Sequence, residues 1–278
     1  MDVNVGKFWF LPIDKTISFS GGAFSLVEDC NERLTAVRSA TNADGYIYPP
    51  RTERPAHLHR LPASHRIQFE QVPIDNELRR NDGAFLMYLA GYLYGYRLQF
   101  DDWWFDGRVN MKKSQNMSVN DEKAADFFSK GYSVWKRWPV EIRRHFTNIL
   151  YMNSRSDLYE WDWERFMIAY MVFDACYKQA KVMGQVRKCL HEDRIEKMCG
   201  RYGLYCNSSL SGEIAKLRNA LFHEALWDGG QPCSSGGPKS FYYTECLRRI
   251  NHRLIPAILD YSTAYIGTHW DSMSPCQF

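Results

Sequence analysis

The sequence predicts an α+β protein: a small N-terminal α+β module with its helical connection over residues 1–110, followed by a larger all-α bundle over residues 111–278. Three observations predict it. Early in the chain, short β-rich runs are punctuated by Gly21-Gly22 and Pro49-Pro50. Later, apolar residues recur at steps of three and four over long stretches. Hydrophobic residues make up 45% of the chain and aromatics 15%, so its 278 residues can bury a core almost throughout, as one large or two ordinary domains.

Taken in order, Lys7 to Pro12, Ile17 to Ser20, Gly45 to Tyr48 and His65 to Val72 read as strands, rich in β-branched and aromatic residues. Ala23 to Ala40 reads as a helix, with Phe24, Leu26, Val27, Leu34 and Val37 giving it an apolar side. Asp82 to Gln99 is predicted helical. Its greasiest run, Ala84 to Tyr96, falls short of the roughly 20 residues a membrane span needs and reads as a buried helix. An aromatic-rich connection, Phe100 to Arg108, leads into the bundle. There, Asp121 to Trp138 stops at Pro139, which suits the first turn of a helix running to about Met152. Trp161 to Leu190 forms a third helix, with Asp174 inside its otherwise apolar stretch, where an unpaired carboxylate is costly to bury. A short helix from Arg194 to Tyr202 precedes one over Glu213 to Glu224. After the Gly-, Ser- and Pro-rich stretch Asp228 to Lys239, the last helix, Phe241 to Tyr265, carries Pro256 and is expected to kink there.

The net charge of +3 is too small to announce a nucleic-acid partner by itself. Basic clusters at Lys136-Arg137, Arg143-Arg144-His145, Arg187-Lys188 and Arg248-Arg249 with Arg253 form either a track for a phosphate backbone or solvated helix faces. No secretory or membrane segment is recognisable, and the eight cysteines lack the paired short spacing of a zinc site, so a cytoplasmic protein with free thiols is expected.

The segment with the most chemistry is Glu213-Ile-Ala-Lys-Leu-Arg218-Asn219-Ala-Leu-Phe-His223-Glu224. Ile214, Leu217, Leu221 and Ala225 form its apolar stripe, Ser208, Ser209 and Ser211 offer capping oxygens, and Asp228-Gly229-Gly230 supplies the stop. An arginine followed five residues later by a histidine occurs three times, at 54/59, 60/65 and 218/223. Pro55 and Pro62 deny the first two a helix, so only the third stands on one. At about 100° per residue, Arg218 and His223 point roughly 140° apart. Either both side chains bend toward Asn219, or a second copy of the helix completes the site. Histidine exchanges protons near neutrality, and a guanidinium holds a phosphate through two donors as charge builds on it. Together they suit cleavage of RNA by its own 2′-hydroxyl, with no metal or other cofactor required. Asn219 is placed to orient the histidine, Glu224 less directly so.

Arg218-Asn219-Ala-Leu-Phe-His223-Glu224, late in a helical region, resembles the signature of the HEPN (higher eukaryotes and prokaryotes nucleotide-binding) superfamily, whose nucleases carry arginine, a polar residue and, after four to six intervening positions, histidine. The resemblance covers roughly residues 115–267. It implies a helical bundle that homodimerises, bringing two motifs together to cut RNA without metal, often in toxin or antiviral defence roles. It implies Arg218, Asn219 and His223 as catalytic residues. Glu224, Asp174, Arg143, Arg144, Arg248 and Arg249 are the expected RNA-binding or supporting residues. Some members of the superfamily bind without cutting, so a noncatalytic module recognising a nucleotide, RNA or protein is the alternative. A metal site at His57, His59 and His65 is the weakest reading, because no further ligand stands at useful spacing in that Pro-rich loop.

Overall fold

The computed structural model describes residues 7–8, 16–49, 58–70, 74–111, 117–232, 237–272, 274 and 276–278. It is a mixed protein of helices and small antiparallel sheets that divides into two compact units, Met1–Tyr132 and Ser133–Phe278. The division falls within a helix, later in the chain than the 110/111 boundary read from the sequence. None of the described helices is long and apolar enough to cross a membrane.

The first unit is built on a four-stranded antiparallel sheet of β1 (Lys7–Phe8), β2 (Ile17–Phe19), β3 (Gly22–Leu26) and β6 (His65–Phe69), in the order β1-β6-β3-β2. Register places Ile17, Phe24 and Ile67 in one row and Phe19, Gly22 and Phe69 in the next. Side chains alternate between faces along a strand, so each row lies on a single face. The expected helix from Ala23 is therefore a strand as far as Leu26, and α1 begins only at Cys30, running Cys30–Ser39. Phe24 belongs to the strand's alternation, while Leu34 and Val37 belong to the helix, and the two periods overlapped in the sequence.

Gly22 is required by that row. A Cβ there would lie 2.2 Å from the Gln68 carbonyl oxygen and 2.8 Å from the Phe19 ring, which meets Phe69 at 6.2 Å across it. Gly22→Ala is expected to cost roughly 1–3 kcal/mol through this overpacking. Urea unfolding checks it, and a midpoint equal to wild type would refute the close approach.

Short ribbons pair β4 (Tyr46–Ile47) with β8 (Val109–Asn110) and β5 (Leu58–His59) with β7 (Phe105–Asp106). A three-residue helical turn, α2 (Asn76–Leu78), passes through a π-type turn at Arg79–Gly83 into α3 (Ala84–Tyr94), every residue of which is buried. Gly95, at φ 73°, ends it in the left-handed conformation glycine adopts without strain.

The second unit is helical: the end of α4 (Asp121–Lys136), then α5 (Val140–Ser154), α6 (Asp162–Val182), α7 (Arg194–Tyr202), α8 (Ser208–Glu224) and α9 (Pro238–Ile258). Helix α6 packs on α5, α8 and α9, burying Phe166, Ala169, Val172, Phe173, Cys176 and Ala180. Two buried amides help hold that packing. Asn251 of α9 donates to the Ala169 carbonyl at 2.8 Å, and Gln179 donates to Ile142 O at 3.3 Å while its Oε1 lies 2.6 Å from His145 Nδ1. Helix α6 stops at Val182 instead of Leu190, because Gly184 takes a φ of 71° and turns the chain. Helix α9 contains Pro256, as expected, and ends at Ile258, short of Tyr265.

His252 of α9 is buried beside Arg248, Arg249 and Arg253. Burial first, then those three cations, hold its pKa well below the ordinary histidine value. An unfolded chain has a histidine pKa near about 6.5, so it binds the proton more tightly than the fold does. The contribution is therefore fully present above that pH and is lost as pH falls below it. Melting temperature is expected to drop between about pH 7 and 5, less steeply in His252→Gln. Identical slopes in the two proteins would show that His252 carries none of the effect.

Candidate functional site

Helix α8 carries the motif and is capped one residue before the first of the expected serines. Asn207 is the N-cap, its Oδ1 accepting from Leu210 N at 3.2 Å and its Nδ2 donating to Asp271 at 2.9 Å. Ser211, Ile214, Ala215 and Leu217 face the core. Leu221 is only half-buried, and Ala225 leaves the predicted stripe altogether. It is exposed, at φ 54°, and ends the helix where the sequence placed the stop at Asp228 to Gly230. Beyond it, buried Trp227 packs on Phe166 with ring centroids 5.4 Å apart, fixing the chain as it leaves α8.

Within one chain, Arg218 and His223 bend toward one another. Arg218 Nη1 lies 2.9 Å from His223 Nε2 and 3.0 Å from Asn219 Oδ1. A guanidinium only donates, so His223 Nε2 holds a lone pair and the neutral ring carries its proton on Nδ1. Asn219 thus contacts the arginine instead of orienting the histidine directly. Asn219, His223 and Glu224 are exposed, whereas Arg218 is half-buried, its Nε shielded from water and without a hydrogen-bond acceptor among the described residues.

Two aromatic rings hold the guanidinium: its Cζ is 5.2 Å from the centroid of Phe222 and 5.7 Å from that of Tyr170 on α6. Tyr170 continues the constellation into residues the sequence reading did not single out. Its hydroxyl lies 3.4 Å from His191 Nδ1, and its ring stacks on His191 at 6.5 Å between centroids. Burial, reinforced by Asp174, pushes the Tyr170 hydroxyl up to about 12, with Arg218 and Arg194 opposing. Burial pushes the His191 imidazole down, helped by Arg194 and Arg218.

Asp174 pairs with Arg194 of α7 at 2.7 Å, so its partner comes from outside the motif helix. Arg194 in turn lies over the Tyr177 ring, 4.6 Å from its centroid. No protein family model, curated protein or solved structure matches this chain. The functional reading therefore rests on α8 and its immediate surroundings.

The remaining basic residues divide between engaged and exposed side chains. Arg248 is engaged by Asp157 at 2.7 Å and Glu245 at 2.6 Å, and Arg249 donates to the Ser272 carbonyl. Arg253 is buried in the core. Arg143 lies over Trp135, 5.0 Å from the ring centroid, and its carbonyl accepts from the Trp135 indole at 3.1 Å. Arg144, Lys136, Arg137, Arg187 and Lys188 are exposed.

Of the three N-terminal histidines, His57 lies outside the described residues. His59 is buried in β5 beside Phe105, and His65 is buried in β6 with Nδ1 2.9 Å from Ser64 Oγ. Among the described residues, no group of three or more His, Cys, Asp or Glu is placed to hold a metal ion.

Proposed function

We propose that this protein is a metal-independent endoribonuclease of the HEPN type, a cytoplasmic homodimer acting in a toxin or antiviral defence setting. The observation that carries the reading is the 2.9 Å approach of Arg218 to His223 on an exposed helix face. Arg218 clamps the scissile phosphate and steadies the charge that grows on it. Its Nε donor has no acceptor among the described residues. His223 moves a proton on the reacting sugar-phosphate once the phosphate draws Arg218 away from its ring nitrogen. Asn219 keeps the guanidinium in place through Nη1. The 2′-hydroxyl attacks the adjacent phosphorus, so the products end in a 2′,3′-cyclic phosphate and a 5′-hydroxyl.

The test is incubation of the purified protein with a mixed-sequence oligoribonucleotide, with and without EDTA, followed by end-group analysis. Cyclic-phosphate ends formed equally in both samples are expected. Ends bearing a 3′-hydroxyl would overturn the mechanism, as would cleavage lost with EDTA and restored by zinc.

One observation favours a second reading, a noncatalytic module that binds a nucleotide, RNA or protein partner. Arg218 Nη1 is already satisfied by Asn219 and His223 as the chain folds. Under that reading the oligoribonucleotide is retained on a filter but never shortened.

A further inference from the structure

We infer that His191 is the second proton-transfer group of the site; this rests on the ribonuclease reading above. Cleavage by an internal hydroxyl needs two proton movements, one off the 2′-oxygen and one onto the departing 5′-oxygen. His223 alone, in a single copy of the motif, makes one of them.

The geometry supplies the other. Tyr170 is the shared wall, with the Arg218 guanidinium 5.7 Å from its ring centroid and the His191 ring stacked on it at 6.5 Å. The Tyr170 hydroxyl, 3.4 Å from His191 Nδ1, fixes which edge of that imidazole faces away. We assign Nδ1–H as the donor to the phenolic oxygen, which leaves the lone pair on Nε2. The loop bearing His191 is itself held. Tyr177 Oη accepts from Cys189 N at 2.9 Å and donates to Arg187 O at 3.1 Å, and Arg194 N closes the following turn onto the His191 carbonyl at 3.3 Å.

The charged and titratable groups facing His191 come from every neighbouring element: Tyr170 and Asp174 on α6, Arg194 on α7, and Arg218 and His223 on α8. Burial and the two arginines outweigh Asp174 and favour the neutral ring, the form that accepts a proton. In the reaction the 2′-oxygen gives its proton to His191 as it bonds to phosphorus. The bond from phosphorus to the 5′-oxygen breaks, and His223, which has taken up a proton from water at Nε2 once Arg218 turns to the phosphate, delivers that proton to the 5′-oxygen. The returning proton exchange with water restores both rings.

Single-turnover cleavage of a mixed-sequence oligoribonucleotide tests the assignment. His191→Gln is expected to lower kcat by roughly 10²-fold or more with KM little changed. It should also remove the limb of the pH profile on which activity rises as His191 loses its proton. Added imidazole should restore part of the rate to His191→Ala. That variant serves equally if His191→Gln folds poorly, as judged by its melting temperature.

Wild-type kcat and an unchanged pH limb in His191→Gln, with Arg218→Ala inert, would overturn the inference while leaving the ribonuclease reading intact. So would a loss confined to KM. No cutting by wild-type protein would sink both.

Discussion

Arg218→Ala is expected to reduce kcat/KM for RNA cleavage by about 10²–10³-fold, with a melting temperature close to that of wild type. The two expectations follow from different aspects of one side chain. The half-buried guanidinium is bonded to Asn219 and His223 and rests on the Tyr170 and Phe222 rings. Removing it forfeits a partly exposed cation–π contact of roughly 0.5–1 kcal/mol. The phosphate clamp, by contrast, is lost outright.

Arg218→Lys should be nearly as inactive. An ammonium is a point charge with no flat face for the two rings and no fork for a phosphate. His223→Ala should remove cleavage while leaving RNA binding. Cleavage by both Arg218→Ala and His223→Ala at the wild-type rate would eliminate this helix as the active site.

The largest loss of stability is expected from Arg253→Ala. Arg253 is 1% exposed and works as a structural hub. Its Nε donates to Thr268 O at 3.0 Å, Nη1 to Arg249 O at 3.0 Å, and Nη2 to Thr268 Oγ1 at 2.8 Å and His269 O at 3.2 Å. Its Cζ also lies 4.7 Å from the Tyr265 ring centroid. Truncation strands several buried acceptors at about 1–3 kcal/mol each and opens a cavity. A total near 3–5 kcal/mol is expected, lowering the melting temperature by roughly 10 °C at about 2–4 °C per kcal/mol. Arg253→Lys should recover little, since one ammonium cannot span those acceptors. A loss below about 1 kcal/mol in urea unfolding would contradict the hub.

Much of this was readable from local pattern, and the failures share a cause. The spacing of Ile214 and Leu217 located α8 and its buried side, and the alternation around Ile17 and Ile67 located strands of the sheet. Phe24 and Leu26 misled because they fit a helical stripe and a strand equally well. Only pairing with β6, distant in sequence, decides between them. The reach between Arg218 and His223 was left open because long side chains can defeat the angle between their Cα positions.

Asp174 was recognised as needing a partner, but nothing local points to Arg194, twenty residues on. His191 was invisible for the same reason: it sits in a turn after α6 with no periodicity, and its proximity to Tyr170 exists only after α6, α7 and α8 pack. Arg253 looked like part of a basic track because sequence reports charge and not burial.

Ala225 gives the motif helix uneven durability along its length. An L-residue held in left-handed backbone costs roughly 1–2 kcal/mol relative to right-handed geometry, and here it closes an exposed final turn, the N–H of the next residue, Leu226, reaching back to Ala220 O at 3.1 Å. Fraying should therefore concentrate in the exposed turn just before the Trp227 anchor, loosening His223 and Glu224 while Leu217, packed in the interior, keeps Arg218 anchored. The cationic half of the pair stays fixed and the imidazole half is tethered by the weakest turn, so thermal motion alone uncouples them from one side.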